Sequence, residues 1–132
     1  MNQKPEMTTF ELMVNQEILC DLPQTPYILV IAIHSQNAEK EWRYAICDWI
    51  VKSKQCYWAL AWGYDCSLWD DALDWSYLES CNYELPDDED YQLMTSWHEN
   101  ETLEDVMEFA ESVSINTLPE QNIYQIVILN IC

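Results

Sequence analysis

The sequence has 132 residues, of which 49% are hydrophobic, so it can form one domain with a packed core but is short for two. Its formal net charge is -19, from 24 acidic and 5 basic residues. This charge disfavours direct binding to nucleic acid or to an anionic membrane and favours a basic protein partner.

The first 26 residues are an N-terminal extension whose structure the sequence leaves uncertain. Residues 1–9 are expected to be frayed, and residues 10–20 fit a short strand or a short helix. The two prolines in 21–26 indicate a connector. The opening stretch MNQKPEMTTF lacks the apolar segment of an export signal, which predicts a cytoplasmic protein.

Residues 27–131 alternate between apolar runs typical of buried strands and segments with apolar residues at helical spacing. Ser67 with Asp70, and Thr102 with Asp105, have the spacing of helix N-terminal caps. Loops are expected at 82–90 and 116–122. In chain order the predicted elements are a strand at 27–33, a helix at 37–53, a strand at 56–62, a helix at about 67–80, a strand at 91–97, a helix beginning at Thr102 and a strand at 123–131.

This alternation predicts a single α/β domain over residues 1–132, with its core at 27–131. We expect three layers, with a four-stranded, mainly parallel sheet connected by three crossover helices. Because crossovers between parallel strands are right-handed, few topologies remain, and the spatial order 2-1-3-4, one half of a flavodoxin-like fold, is predicted.

Several chemically versatile side chains follow strands of the predicted sheet. His34 follows the first strand and His98 the third, while Trp62, Asp65 and Cys66 lie at or just beyond the end of the second. Ligands of open parallel sheets bind beyond the carboxyl ends of the strands. The predicted order makes the two histidine-bearing strands neighbours, so this edge is a candidate site.

Two chemistries are open at that edge. Cys66 would serve as a nucleophile, with His98 or His34 as its base and Asp65 or Glu99 as the orienting group. Alternatively, His34, His98 and Cys66 would bind zinc. The sequence has no C-x-x-C, H-E-x-x-H or glycine-rich phosphate motif to support either, and no cofactor is predicted. The simpler interpretation is that the histidines cap strand ends and Cys66 packs or caps the second helix.

The six cysteines show no paired spacing, and without an export signal they are expected to be free, reduced thiols. They are Cys20, Cys47, Cys56, Cys66, Cys81 and Cys132.

The charges are strongly segregated along the chain. No Lys or Arg occurs between Asp65 and Glu111, where acids alternate with aromatic residues. A solvated face is the ordinary interpretation of such a run, but exposed Trp and Tyr among unpaired acids favour a binding surface. The candidate partner-binding residues are Asp70, Asp71, Asp74, Trp69 and Trp75 on the second helix and Glu101, Glu104, Asp105 and Glu108 on or before the third.

The stretches LAWGYDCSLWDDALDW and MTSWHENETLEDVMEFA resemble a family of small, acidic, uncharacterised bacterial proteins. That family has similar Trp-Gly-x-Asp-Cys and Thr-x-Trp-His-Glu turns, and the resemblance covers roughly 27–131. It implies a bacterial or phage context, such as phage defence or counter-defence, and brings no activity. In size, acidity and aromatic content the chain is also similar in type to immunity proteins that neutralise bacterial toxins.

Three functions follow as hypotheses. The first is a non-catalytic, acidic inhibitor of immunity or antitoxin type that binds a basic protein. In one variant of this hypothesis the partner targets nucleic acid and the inhibitor mimics that nucleic acid. The second is a small enzyme or a ligand- or metal-binding domain that uses Cys66, His98, His34 and Asp65. The third is a non-catalytic subunit of a larger complex. The charge pattern favours the first.

Overall fold

The computed structural model of the chain describes residues 5–84, 92–114, 123 and 125–132. The predicted loops at 82–90 and 116–122 fall largely outside these residues, as do residues 1–4 of the predicted frayed start. The described elements, in chain order, are β1 (Glu6–Leu12), β2 (Tyr27–Ile33), α1 (Lys40–Ser53), β3 (Cys56–Gly63), α2 (Cys66–Ser80), β4 (Met94–His98), α3 (Leu103–Ser112) and β5 (Gln125–Ile131).

The described strands form one parallel sheet in the order β1-β5-β2-β3-β4. All seven residues of β2 are buried, because β2 lies in the middle of the sheet and is covered on both faces. Helices α1 and α2 pack on one face against Leu29 and Ile31, and α3 packs on the other against Ile28 and Val30. The predicted α/β class with helices on both faces is confirmed.

The predicted strand order is wrong. The third predicted strand, β4, pairs with β3 and forms an edge of the sheet, and β5 takes the place beside β2. The reason lies in the composition of these strands. In β4 only His98 is buried, whereas β5 buries Ile126, Val127, Leu129 and Ile131. A half-polar strand suits an edge, and a mostly apolar strand suits the interior.

The N-terminal extension contributes the fifth strand, which the sequence did not reveal. β1 pairs with β5 along its whole length, so residues 6–9 are not frayed. Most of its side chains are exposed, and only Leu12 is buried. A strand with so little burial has no apolar pattern by which it could be recognised.

The two predicted helix starts have different outcomes. The Thr102 side chain accepts a hydrogen bond from the Asp105 backbone N–H at 3.1 Å, so this cap is confirmed. Helix α2 instead begins at Cys66 after Asp65, which has a φ of 55° and no side-chain capping bond. The predicted Ser67–Asp70 cap is therefore wrong, and the Asp70 side chain is buried. None of the described helices is long and apolar enough to cross a membrane.

Candidate functional site

The strand register brings polar and aromatic residues together at the carboxyl edge of the sheet. Asn130 on β5, Ala32 on β2, Trp62 on β3 and His98 on β4 form one row. Paired residues of parallel strands point to the same face, and here that face is covered by α3. His34 lies two residues beyond Ala32. Both histidines are therefore at the predicted edge, but β3 separates their strands.

His34 and Trp62 are held in position by neighbouring polar groups. The His34 Nε2 lies 2.9 Å from the Asn130 Oδ1. The His34 and Trp62 rings meet edge to face, with centroids 5.8 Å apart. The Trp62 Nε1–H donates to the Glu101 carbonyl oxygen at 2.7 Å. These bonds link β5, β2 and β3 to the turn that precedes α3.

His98 is the centre of a second hydrogen-bonded group. Its Nδ1 lies 2.8 Å from the Glu101 Oε2, and its Nε2 lies 2.9 Å from the Ser96 Oγ. The Trp58 Nε1–H donates to the same Ser96 oxygen at 3.0 Å. Because the Glu101 carboxylate can only accept, the His98 Nδ1–H donates to it, and in the neutral ring the His98 Nε2 then accepts from the Ser96 hydroxyl.

Hydrogen bonds connect Ser96 to His98 and His98 to Glu101. In serine hydrolases the nucleophile, the base and the orienting acid are connected in the same way. Ser96 and Trp58 were not among the predicted site residues, and Glu101 was predicted only as a partner-binding residue. The signal that would have found the group is Ser-x-His on a strand, which places both side chains on one face, followed by a glutamate in the next turn.

Cys66, the nucleophile of the alternative catalytic set, lies in surroundings that do not favour a thiolate. Its side chain is buried, and burial raises the pKa of the Cys66 thiol, while backbone hydrogen bonds with His98 and Ser67 act in the opposite direction. Both ring nitrogens of His98 already have partners in Ser96 and Glu101. A protonated thiol is a weak nucleophile, so these surroundings do not favour the Cys66, His98 and Asp65 set, which stays a prediction.

The alternative zinc ligands are also dispersed. Among the residues that the structure describes, no three His, Cys, Asp or Glu side chains are arranged to hold a metal ion. The His34 ring lies against Trp62, and the His98 ring lies between Ser96 and Glu101. All six cysteines are free thiols.

Two aspartates of α2 lie beside β4. The Thr95 hydroxyl donates to the Asp74 Oδ1 at 2.7 Å. Asp70, one turn earlier, is buried, and its Oδ1 has no hydrogen-bond partner. Burial and then the nearby Asp74 carboxylate raise the pKa of Asp70, and a hydrogen bond with Thr95 partly opposes them. This pair of carboxyl groups weakens the folded state when both are charged.

We expect Asp70→Asn to be more stable than the parent at pH 7. The pKa of Asp70 is higher in the folded than in the unfolded state, so its contribution to stability is present in acid and lost as the pH rises through the folded-state pKa. Asparagine cannot ionise and escapes this loss. In urea unfolding, Asp70→Asn should have a higher free energy of unfolding than the parent at pH 7. This difference should disappear below the ordinary Asp pKa of 3.8.

The matched control for this change is Asp71→Asn, because Asp71 is the exposed neighbour of Asp70. At pH 7, Asp71→Asn should raise the free energy of unfolding by less than Asp70→Asn does. A less stable Asp70→Asn protein at pH 7 would mean that the ionised Asp70 carboxylate supports the fold.

The candidate partner-binding residues divide into exposed and buried groups. Trp69 is 1% exposed and packs edge to face against Trp42 of α1, and Asp70 is 4% exposed, so neither is presented to a partner. The other members of the predicted set are exposed: Asp71, Asp74, Trp75, Glu101, Glu104, Asp105 and Glu108.

The exposed acids do not lie on one face, because α2 and α3 cover opposite faces of the sheet. On one side of β4, Asp74 of α2 accepts a hydrogen bond from Thr95, and on the other side Phe109 of α3 lies against His98 and is exposed. The Met94 and Trp97 side chains of β4 are also exposed. We call this surface the acidic edge. It consists of Asp71, Asp74, Trp75, Met94, Trp97, Glu101, Glu104, Asp105, Glu108 and Phe109.

Comparison with known proteins finds one family. A family model described as Domain of unknown function (DUF7684) matches residues 10–132. No curated protein and no solved structure matches the chain. The match agrees with the resemblance to an uncharacterised family, while the two turn motifs and the likeness to immunity proteins stay predictions.

Proposed function

The chain belongs to the DUF7684 family, whose function is unknown, and from its surface we propose that it is a non-catalytic binding protein for a basic protein partner. The acidic edge is the binding surface. One observation carries the proposal: Trp75, Trp97 and Phe109 are exposed within a segment that has many acids and no Lys or Arg.

The charge and the aromatic residues would act at different stages of binding. A net charge of -19 attracts a basic partner over distances beyond contact and speeds association. Exposed Trp side chains, at 52% for both Trp75 and Trp97, supply large apolar contacts that slow dissociation. Acids that only kept the protein in solution would not require these aromatic neighbours.

The proposed role is inhibition, of the immunity or antitoxin type, in a bacterial or phage setting. A protein that acts on nucleic acid carries a basic binding surface, which is complementary to the acidic edge. Carboxylates at successive turns of α3, such as Glu104 and Glu108, would then bind at the sites where the partner binds the phosphates of nucleic acid. A non-catalytic subunit of a larger complex would use the same surface, but without inhibiting its partner.

The exposed tryptophans provide a direct test. We expect Trp97→Ala to weaken binding of the partner by about 2 kcal/mol, mainly through faster dissociation, as is typical of an aromatic anchor. Folding should change little, because Trp97 is 52% exposed. Biolayer interferometry with the captured partner measures both rates.

The matched control is Leu19→Ala, which removes a side chain that is 86% exposed in the connector after β1. This variant should bind like the parent. If Trp97→Ala and Trp75→Ala also bind like the parent, the acidic edge is not the binding surface.

A second candidate function is hydrolysis. The observation that favours it is the pair of hydrogen bonds that connect Ser96, His98 and Glu101. In this reaction the Ser96 Oγ would attack a carbonyl carbon while His98 takes the hydroxyl proton. The Trp58 N–H already occupies one lone pair of the Ser96 Oγ, and attack would require this indole to move. The hydrogen bonds therefore serve better to fix His98 than to activate Ser96.

We accordingly expect no labelling of Ser96 by a fluorophosphonate probe. Mass spectrometry of the treated protein and of Ser96→Ala checks this expectation. A covalent adduct on the parent that Ser96→Ala lacks would make hydrolysis the leading function.

A further inference from the structure

The carboxyl edge of the sheet contains a cavity that the proposed binding function does not use. It has a volume of about 380 Å³ and lies where β2 and β3 end. Its lining consists of Ile33, His34, Trp62, Gly63 and Tyr64. This size falls within the range of small-molecule sites, and the position is the one where parallel sheets bind ligands.

Hydrogen bonds hold parts of the cavity wall in position. The Trp62 ring is held by its bond to the Glu101 carbonyl oxygen, and the His34 ring by its bond to Asn130. The Tyr64 backbone N–H donates to the Ile33 carbonyl oxygen at 3.0 Å and joins the two strand ends. A site whose walls are already fixed loses little conformational entropy when it binds a ligand.

The lining also determines the charge of a suitable ligand. Among the described residues that line it there is no Lys or Arg and a single glycine, so the lining offers neither a fixed positive charge nor a glycine-rich loop for phosphate or carboxylate. The net charge of -19, with Asp65 next to Tyr64 in the chain, repels anions further. Trp62 and Tyr64 line the cavity, and an aromatic ring that turns its negative face to a ligand attracts cations, the more so in a negative field.

We propose that this cavity binds a small organic cation of the guanidinium or alkylammonium class, with the rings of Trp62 and Tyr64 as its walls. The cation is either a free small molecule or the side chain of an arginine or lysine on another protein. The proposal stands apart from the binding function of the acidic edge, because it is tested without any partner.

The test uses methylguanidinium, with methylurea as a neutral probe of nearly the same shape. A second pair, an N-acetylated and C-amidated Gly-Arg-Gly peptide and its citrulline counterpart, presents the same groups on a chain. Titrations are followed by NMR through the Trp62 indole N–H, with potassium chloride matching the ionic strength. Saturable binding of methylguanidinium, at least about tenfold tighter than that of methylurea, is expected.

The variants separate a ring contact from general attraction by the acidic protein. Tyr64 is 54% exposed, so Tyr64→Phe and Tyr64→Leu should both fold. Tyr64→Phe should keep cation binding, and Tyr64→Leu should weaken it about tenfold. If the arginine peptide binds as well as methylguanidinium, a protein side chain is a competent ligand, whereas binding of methylguanidinium alone assigns the cavity to a free molecule.

Three results would overturn the proposal. The first is equal binding of methylurea and methylguanidinium. The second is unchanged binding of the cation by Tyr64→Leu. The third is a set of shifts that spreads over the acidic surface without saturation at Trp62. None of these results depends on whether the acidic edge binds a partner.

Discussion

Replacing Asp71, Glu104 and Glu108 with Lys is expected to abolish binding of the basic partner. These side chains are exposed on α2 and α3, which cover opposite faces of the sheet. The change removes three attractive charges and leaves three repulsive ones facing a basic surface, which costs several kcal/mol. Affinity should fall by at least about 100-fold, and the association rate of the parent should fall as salt rises.

The matched control reverses the same number of charges elsewhere. Glu6, Glu11 and Glu17 are exposed on β1 and in the connector after it, at the opposite edge of the sheet. Replacing them with Lys gives the same net charge but should leave most of the affinity. Equal losses in the two triple variants would show that net charge, and not the acidic edge, governs binding.

Folding and the carboxyl-edge site provide two further controls for this experiment. The first triple variant should be at least as stable as the parent, because it relieves repulsion within a chain of net charge -19. Cys66→Ser and His98→Ala should leave binding nearly intact. If either of these abolishes function while the charge-reversed protein still functions, the function resides at the carboxyl edge of the sheet.

Gly63→Ala is expected to be among the most destabilising single changes in the chain. Gly63 has a φ of 103°, a conformation that residues with a side chain rarely adopt. A Cβ atom at this position would lie 2.2 Å from the Ile33 carbonyl oxygen, which is a backbone atom that cannot move aside. Backbone strain and this clash together should cost more than about 3 kcal/mol in unfolding free energy.

Urea unfolding of Gly63→Ala and of Tyr64→Ala measures this difference. Tyr64 is the next residue and is 54% exposed, so its loss should change the unfolding free energy by less than about 1 kcal/mol. A Gly63→Ala protein that unfolds within about 1 kcal/mol of the parent would show that the turn after β3 relaxes to accept a side chain.

The elements that were predicted correctly are those whose burial is visible in local composition. β2 is a run of seven apolar residues, and all seven are buried. Thr102 and Asp105 form the predicted cap of α3. Local sequence patterns gave a wrong prediction where a side chain contacts a distant part of the chain. Asp70 has the spacing of a capping residue, yet its side chain turns inward beside Thr95 of β4.

The candidate site was predictable only in outline. A parallel sheet places the ends of its strands at one edge, which was sufficient to bring His34 and His98 to the same side of the molecule. Which residues touch depends on register and strand order. Trp58 meets Ser96 because β3 and β4 are neighbours, and this pairing contradicts the predicted order.

The position of β5 between β1 and β2 has a consequence for how the chain folds during synthesis. β1 is made early, but its described strand partner, β5, is made more than a hundred residues later. Until β5 emerges from the ribosome, one side of β2 lacks its strand neighbour and β1 cannot join the sheet. Long-range pairing of this kind slows folding and exposes apolar strand edges to aggregation. Completion of the sheet is therefore expected only once β5 has been made, on a time scale of milliseconds to seconds.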